Sequence, residues 1–356
     1  MKNRILAQMF SLFFIFSLFT GCAQQNNSAG NEPNSTGNQS PSQNEQAQST
    51  PSEVKVYKIG ASAAEGQPLT LAGQRWCDLM NERLAGQIKF EYYPAEQLGD
   101  ESTQMENLQL NLQQGLTNSL DTYSNYSADL NIMSMAFAFD SQEHLNTYLE
   151  SEYGQAALDK IADQGFHIVC YDFRRLPRCI FAKKPIETVD DLSGVKFRIA
   201  DIPIWEKNFR TMGAAPTVIA WTEYYYALQQ GVVEAGETAL EGLTTMKFYE
   251  VAPYISLVDF AYPRECFVLS EKAWQELTPE QQKIVTECGE EAQDYYNELI
   301  ENTWENGRKE VLDGGGVFVE FERQTFIDKM AALVEELETE KFWDTPGLYD
   351  IVQEMK

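Results

Sequence analysis

From residue 54 onward the sequence predicts an α/β protein. Three observations carry this. Short runs in which apolar side chains alternate, at 54–60, 88–93 and 118–123, are separated by stretches with apolar residues at helical spacing, 67–84 and 100–114. That strand–helix–strand–helix–strand order implies a parallel sheet with crossover helices. A second strand–helix run starts at Arg178, and an unusually long helical pattern follows it.

The chain opens differently. Lys2 and Arg4 precede a largely apolar run over 5–19, too short for a stable membrane span and flanked like an export signal. Leu18-Phe19-Thr20-Gly21-Cys22 resembles a lipobox, which makes 1–21 a lipoprotein signal peptide and Cys22 the lipidated residue. Residues 22–52 are then rich in Gln, Asn, Ser, Gly and Pro. They cannot bury enough surface to offset ordering entropy, so they read as a disordered tether of about 30 residues. The body is expected outside the membrane yet bound to it.

Within the body, the helix over 67–84 places Leu69, Ala72, Trp76, Leu79 and Met80 on one face. The helix over 100–114 turns Met105, Leu108 and Leu112 inward and stops at Gly115. Helices over 141–149 and 154–162 and a strand over 167–171 follow. The second run holds strands 178–182, 195–200, 216–219 and 232–238. Asp201 is positioned to cap a helix opened by Pro203, and Thr222 to cap a short one ending at Gly231. A helix over 240–249 comes next. Thr278-Pro279-Glu280-Gln281 is a capping box that starts a helix running to about Leu312, roughly 50 Å long at 1.5 Å per residue. Gly314-Gly315-Gly316 ends it, and a last helix covers 323–341.

Composition excludes several function classes. The formal charge of −27 argues against nucleic acid and against a basic membrane-docking face. Cys77, Cys170, Cys179, Cys266 and Cys288 are widely spaced and odd in number, unlike a disulfide framework or a zinc site. His144 and His167 are the only histidines. There is no H-E-x-x-H, P-loop or G-x-G-x-x-G, so no metal or cofactor is expected. Gly60-Ala61-Ser62-Ala63-Ala64 is one glycine short of a nucleophile elbow, which leaves a secreted serine hydrolase acting at Ser62 as a minor alternative.

Binding signals are stronger. Arg198 sits near the C-terminal end of a strand, just before a helix, where open α/β sheets bind ligands. Its planar guanidinium matches a carboxylate two-point fashion, and we expect it to clamp a small organic acid. The competing reading is a surface arginine in a salt bridge. Arg178 begins another strand. Trp221 lies in the turn before a helix and offers a flat wall, with core packing as its ordinary role. Glu237 and Thr238 end a strand at the same sheet edge.

Several ordered motifs carry a family resemblance. They are Tyr93-Pro94-Ala95-Glu96-Gln97-Leu98-Gly99, Asp190-Asp191-Leu192-Ser193-Gly194-Val195-Lys196-Phe197-Arg198, the run from Trp221 to Glu237, Lys247-Phe248-Tyr249-Glu250-Val251 and Leu277-Thr278-Pro279-Glu280. On these, the body resembles the substrate-binding subunit of tripartite ATP-independent periplasmic (TRAP) transporters, the DctP-like family. The resemblance implies a two-lobed periplasmic-binding-protein (Venus flytrap) fold, with crossing strands and the long helix bracing both lobes. Residues 53–175 with 264–303 would form lobe I, and 176–263 with 304–356 lobe II. It further implies that Arg198 makes the main contact with the ligand carboxylate and that Arg178 assists, Arg174 or Arg175 being alternatives. Trp221 would pack on the ligand, and Thr238 stands where many members have Asn. Ser62, Tyr123 and Ser124 match first-lobe contact positions. Asp201 would face a ligand hydroxyl or amine. The implied role is non-enzymatic: capture of an acid and delivery to integral TRAP permease subunits. An ABC-type receptor of the same architecture is the alternative.

Overall fold

The computed structural model describes residues 54–301 and 303–356. The signal peptide, Cys22 and the tether predicted over 1–52 lie outside them. Among the described residues eleven strands form two sheets. They are β1 (Lys55–Ala61), β2 (Ile88–Tyr93), β3 (Gly115–Ser119), β4 (Phe166–Arg174), β5 (Arg178–Ala182), β6 (Lys196–Ile199), β7 (Ala215–Val218), β8 (Ala235–Ala239), β9 (Tyr254–Ser256), β10 (Arg264–Ser270) and β11 (Val317–Val319). One sheet runs β2-β1-β3-β10-β4 and the other β11-β9-β5-β8-β6-β7. This is the two-lobed α/β arrangement expected.

Strands β1, β2 and β3 are parallel, as the crossover helices require. Between β3 and β4 lies β10, antiparallel to both. Its seven residues are all buried, so its sequence shows no alternation. The chain passes between sheets at 175–177, from β4 to β5, and at 257–263, from β9 to β10. The two crossings lie side by side: the Arg175 N–H donates to the Pro263 carbonyl at 3.4 Å and the Arg178 N–H to the Ala261 carbonyl at 3.0 Å.

The helix Pro68–Arg83 begins with proline in its first turn and buries Trp76, whose ring stacks on Phe267 of β10 at 4.6 Å. Thr278 and Gln281 form the expected capping box: Gln281 N–H donates to Thr278 Oγ1 at 3.3 Å, and Thr278 N–H to Gln281 Oε1 at 2.9 Å. The long helical pattern appears as Pro279–Glu301 and Thr303–Asp313 on either side of residue 302. The first piece packs on Pro68–Arg83 and β4, the second on the helix Leu240–Thr245. Each piece therefore contacts a different lobe. Residues 344–353 return to lobe I, where Asp129 accepts from the backbone N–H groups of Asp344 and Thr345 at 2.7 and 2.9 Å.

Several local expectations fail for tertiary reasons. The strand expected over 118–123 is β3, ending at Ser119, and Leu120–Asn125 is a 3-10 turn. Gly115 opens that strand instead of stopping a helix; the helix before it, Glu101–Gln109, is shorter than expected. Asp201 does not cap Pro203–Thr211, because Ile202 occupies the cap position. Thr222 caps nothing. The helix Tyr224–Gln230 starts after Glu223, and the Thr222 hydroxyl donates to Glu96 of lobe I.

Candidate functional site

Arg198 is on β6 opposite Gly236 of β8. It is 4% exposed. Its Nε–H donates to the Ile219 carbonyl at 2.9 Å, which fixes the plane of the guanidinium. The guanidinium carbon lies 4.4 Å from the Tyr224 ring centre and 5.7 Å from that of Trp221. Its nearest carboxylate oxygen among the described ion pairs is Glu237 Oε1, 3.9 Å from Nη1. Burial pulls this guanidinium below the usual arginine range, and Arg178 adds to the fall while Tyr224 and Glu237 oppose it. A buried cation with unspent donors is a site for an anion.

Arg178 is differently placed. Its Nη1 donates to Glu237 Oε2 at 2.7 Å and its Nη2 to Asp121 Oδ2 at 3.0 Å, while the guanidinium covers the Trp205 ring at 4.4 Å. Its charge is already matched. Arg175 likewise reaches Glu241 Oε1 at 2.6 Å and Glu265 Oε1 at 2.8 Å. Arg174 turns outward to Asp172.

These groups meet at a cavity between the two sheets, with about 810 Å³ of empty space, part of it open to solvent. Lobe I contributes Ser62, Gln67, Glu101, Asn118 and Glu265 to its wall, and lobe II contributes Arg178, Arg198, Trp205, Trp221, Thr238 and Glu241. Arg175, at the crossing, also lines it. Polar contacts join the lobes beside it: Gln67 Nε2 donates to Thr245 Oγ1 at 3.2 Å, and Asn125 Nδ2 to the Asp201 carbonyl at 2.9 Å.

The residues singled out in the sequence divide into two groups. Arg198, Arg178, Trp221, Thr238 and Ser62 share the cavity wall. The Ser62 and Thr238 hydroxyls are buried there without a hydrogen-bond partner. Glu237 stands behind the wall, holding Arg178. Tyr123, Ser124 and Asp201 are outside the wall. Tyr123 is a core residue whose hydroxyl donates to Asn118 at 3.1 Å, Ser124 is buried beside it, and the Asp201 side chain is exposed. Neither histidine approaches Ser62: His144 contacts the Val352 carbonyl, and His167 stacks on Trp274. The pair that a serine nucleophile needs is not assembled.

Sequence reasoning missed Glu101, Glu241, Glu265 and Asn118. The available signal was Arg264-Glu265, two charges opening an otherwise apolar run. Glu101 accepts from Asn118 Nδ2 at 3.0 Å.

The sequence model of a family described as bacterial extracellular solute-binding protein, family 7 (DctP), matches residues 59–341. A solute-binding protein of Sulfitobacter sp. (strain NAS-14.1) is 31% identical over 276 residues, covering 76% of this chain and 82% of that protein. Two solved structures share the fold at comparable distance. One is a TRAP periplasmic solute-binding protein from Sulfitobacter sp. NAS-14.1 with bound β-D-galacturonate: TM-score 0.78, 25% identity, 84% of this chain and 98% of that one. The other is from Actinobacillus succinogenes 130z with bound L-galactonate: TM-score 0.79, 26% identity, 85% and 99% coverage.

Proposed function

The chain belongs to family 7 of the bacterial extracellular solute-binding proteins, and from that premise we propose that it is a receptor which captures a small organic acid and hands it to a TRAP permease. The acid's carboxylate docks on Arg198. One observation carries this reading: Arg198 is the arginine of the cavity wall that no carboxylate engages at hydrogen-bond distance among the described residues, while Arg175 and Arg178 are each held by two. Trp221 and Trp205 give the cavity flat apolar walls, and Thr238 and Ser62 offer unspent hydroxyls. Two solved structures of the same fold hold acids of the sugar series, β-D-galacturonate and L-galactonate.

The lipobox-like stretch ending at Cys22 supports a lipid anchor, with residues 22–52 as tether between membrane and receptor. No helix among the described residues is long and apolar enough to cross a membrane. Mass spectrometry of the mature N-terminus tests the anchor: an unmodified residue other than Cys22 at that end would refute it. The lobes would divide at 175/176, 263/264 and 303/304, the first two lying near the passages from β4 to β5 and from β9 to β10, with 344–353 packed back on lobe I.

The clamp is tested by calorimetry with a carboxylate that binds the parent, galacturonate and galactonate being the first candidates. Arg198→Ala should weaken binding by about a hundredfold or more, the equivalent of about 3 kcal/mol for a broken buried charge pair. Arg198→Lys should not restore it, since an ammonium cannot match both carboxylate oxygens in one plane. Parent-like affinity in Arg198→Lys would overturn the clamp.

A further inference from the structure

The cavity wall and the side chains directly behind it together hold more negative charge than a receptor for a simple acid needs. Arg175 is shared by Glu241 and Glu265, and Arg178 by Asp121 and Glu237. Each arginine with its two carboxylates is therefore one negative charge in excess. Glu101 adds another, its only hydrogen-bond partner among the described residues being the uncharged Asn118. Arg198 is the sole excess cation among these groups, and the ligand carboxylate would neutralise it. Five carboxylates, Glu101, Glu241 and Glu265 in the wall and Asp121 and Glu237 behind it, then stand against three guanidinium groups and an acid. A dicarboxylate would bring yet another negative charge into a half-enclosed space, where like charges repel strongly.

One atom points to what relieves this excess. Glu241 is 5% exposed and in the cavity wall; its Oε1 is held by Arg175, but its Oε2 is buried with no hydrogen-bond partner. An unpaired carboxylate oxygen in such a place is costly unless a donor arrives. Among the described residues no group of three or more acid, histidine or cysteine side chains converges to hold a metal ion. The missing donor is thus better supplied by an organic cation than by a bare one.

Resting on the Arg198 reading above, we infer that the ligand is a zwitterion: its carboxylate lies on Arg198, and a protonated amine on the same molecule donates to Glu241 Oε2 within the field of Glu265 and Glu101. The titration of the acids agrees. Burial pushes Glu265 up to about 7 despite Arg175, with Glu241 adding to the rise. Burial also pushes Glu101 up to about 7 against the pull of Asn118 and Arg198, with Glu265 and Glu96 adding. Burial, more than any neighbour, disfavours the charge on these two carboxylates, and an ammonium group beside them would offset that cost. Glu241 and Glu101 are then the residues that select the amine, and Arg175 positions Glu241.

The experiment uses carboxylates in matched trios that carry an amine, a hydroxyl or a second carboxylate on one skeleton: γ-aminobutyrate, γ-hydroxybutyrate and succinate; glucosaminate, gluconate and glucarate. Affinities are measured by calorimetry on the parent and on Glu241→Gln, with melting curves confirming that the variant is folded. The amine member should bind about tenfold tighter than its hydroxyl partner or more, the worth of a charge-assisted hydrogen bond, and the dicarboxylate should bind most weakly. Glu241→Gln should remove that preference, bringing the ratio of amine to hydroxyl affinity to about one. Should Glu241→Gln fail to fold, Glu101→Gln carries the same expectation in weaker form. A hydroxyl or dicarboxylate member binding tightest, or an amine preference that survives in both variants, overturns the zwitterion. Failure of the clamp is told apart by its own variant: an amine preference intact in Arg198→Lys with parent affinity would sink the carboxylate contact and not the Glu241 contact.

Discussion

The guanidinium carbon of Arg198 lies over the Tyr224 ring, 4.4 Å from its centre, and both side chains are buried. A cation over a desolvated ring gains about 2 kcal/mol. The ring also fills the space beneath the charge, so no water competes for it from that side. Tyr224→Leu removes the platform and leaves the guanidinium free to tilt out of the plane a carboxylate needs. We expect binding of a carboxylate ligand to weaken about tenfold to thirtyfold in calorimetry, together with a loss of stability of about 3 kcal/mol for a truncated buried aromatic. Tyr224→Phe keeps the ring, and the hydroxyl it loses makes only a long 3.4 Å contact to the Glu237 carbonyl. Its affinity should stay within about threefold of the parent. Equal losses in the two variants would show that the ring face is not what holds Arg198.

Gly236 makes that stacking possible. It is opposite Arg198 in the ladder, and a Cβ built on it would stand 1.5 Å from the Tyr224 hydroxyl oxygen. Tyr224 is fully buried and cannot swing away cheaply. Gly236→Ala should therefore act at a distance from the cavity, pushing Tyr224 and with it Arg198. A destabilisation of about 1–3 kcal/mol in denaturant unfolding is expected, along with a loss of affinity. In the Tyr224→Leu background the same alanine should cost much less, because the clashing group is gone. Additive effects of the two changes would contradict this account.

How much of this was legible in the sequence depends on where each interaction closes. β1 and β6 and the Thr278 capping box are local: alternation, a glycine turn and a cap with its partner three residues on were enough. β10 was not legible, because a strand buried on both faces has no alternation and Arg264-Glu265 disguised its start. β9 and β11 are three residues each, too short for any period. Thr222 has the residue type of a cap, yet its hydroxyl is engaged by Glu96 from the other lobe, which only the tertiary structure supplies. The same division holds at the cavity. Arg198, Trp221 and Thr238 were found through strand ends and a turn. Arg175, Glu241 and Glu265 come together where the chain crosses between sheets, and no periodicity marks a crossing. That is why the sequence reading anticipated the arginine and not the surplus of acids around it.

The buried acids of the cavity have a signature in stability against pH. Glu265 is held near 7 chiefly by burial; Glu241 and Asp121 raise it and Arg175 and Arg178 pull it down. Its unfolded value is near the ordinary 4.5. Between those values the folded chain holds a proton that the unfolded chain has lost, so stability falls as pH rises through about 4.5 to about 7. Glu101, also near 7, acts in the same sense. His167 acts oppositely: burial lowers it, and Glu271 only partly offsets this, so its contribution is lost as pH drops below the ordinary 6.5. Comparing the parent with Glu265→Gln cancels His167 and isolates one carboxyl. The melting temperature of the parent minus that of Glu265→Gln should be highest near pH 5 and decline steadily toward pH 8, in ligand-free protein. A difference that stays flat, or rises with pH, would mean that the folded chain does not hold Glu265 above its unfolded value. With a bound ammonium ligand the decline should shrink, because the cation favours the ionised carboxylate and expels the proton; calorimetry in two buffers of different ionisation heat would read that proton directly.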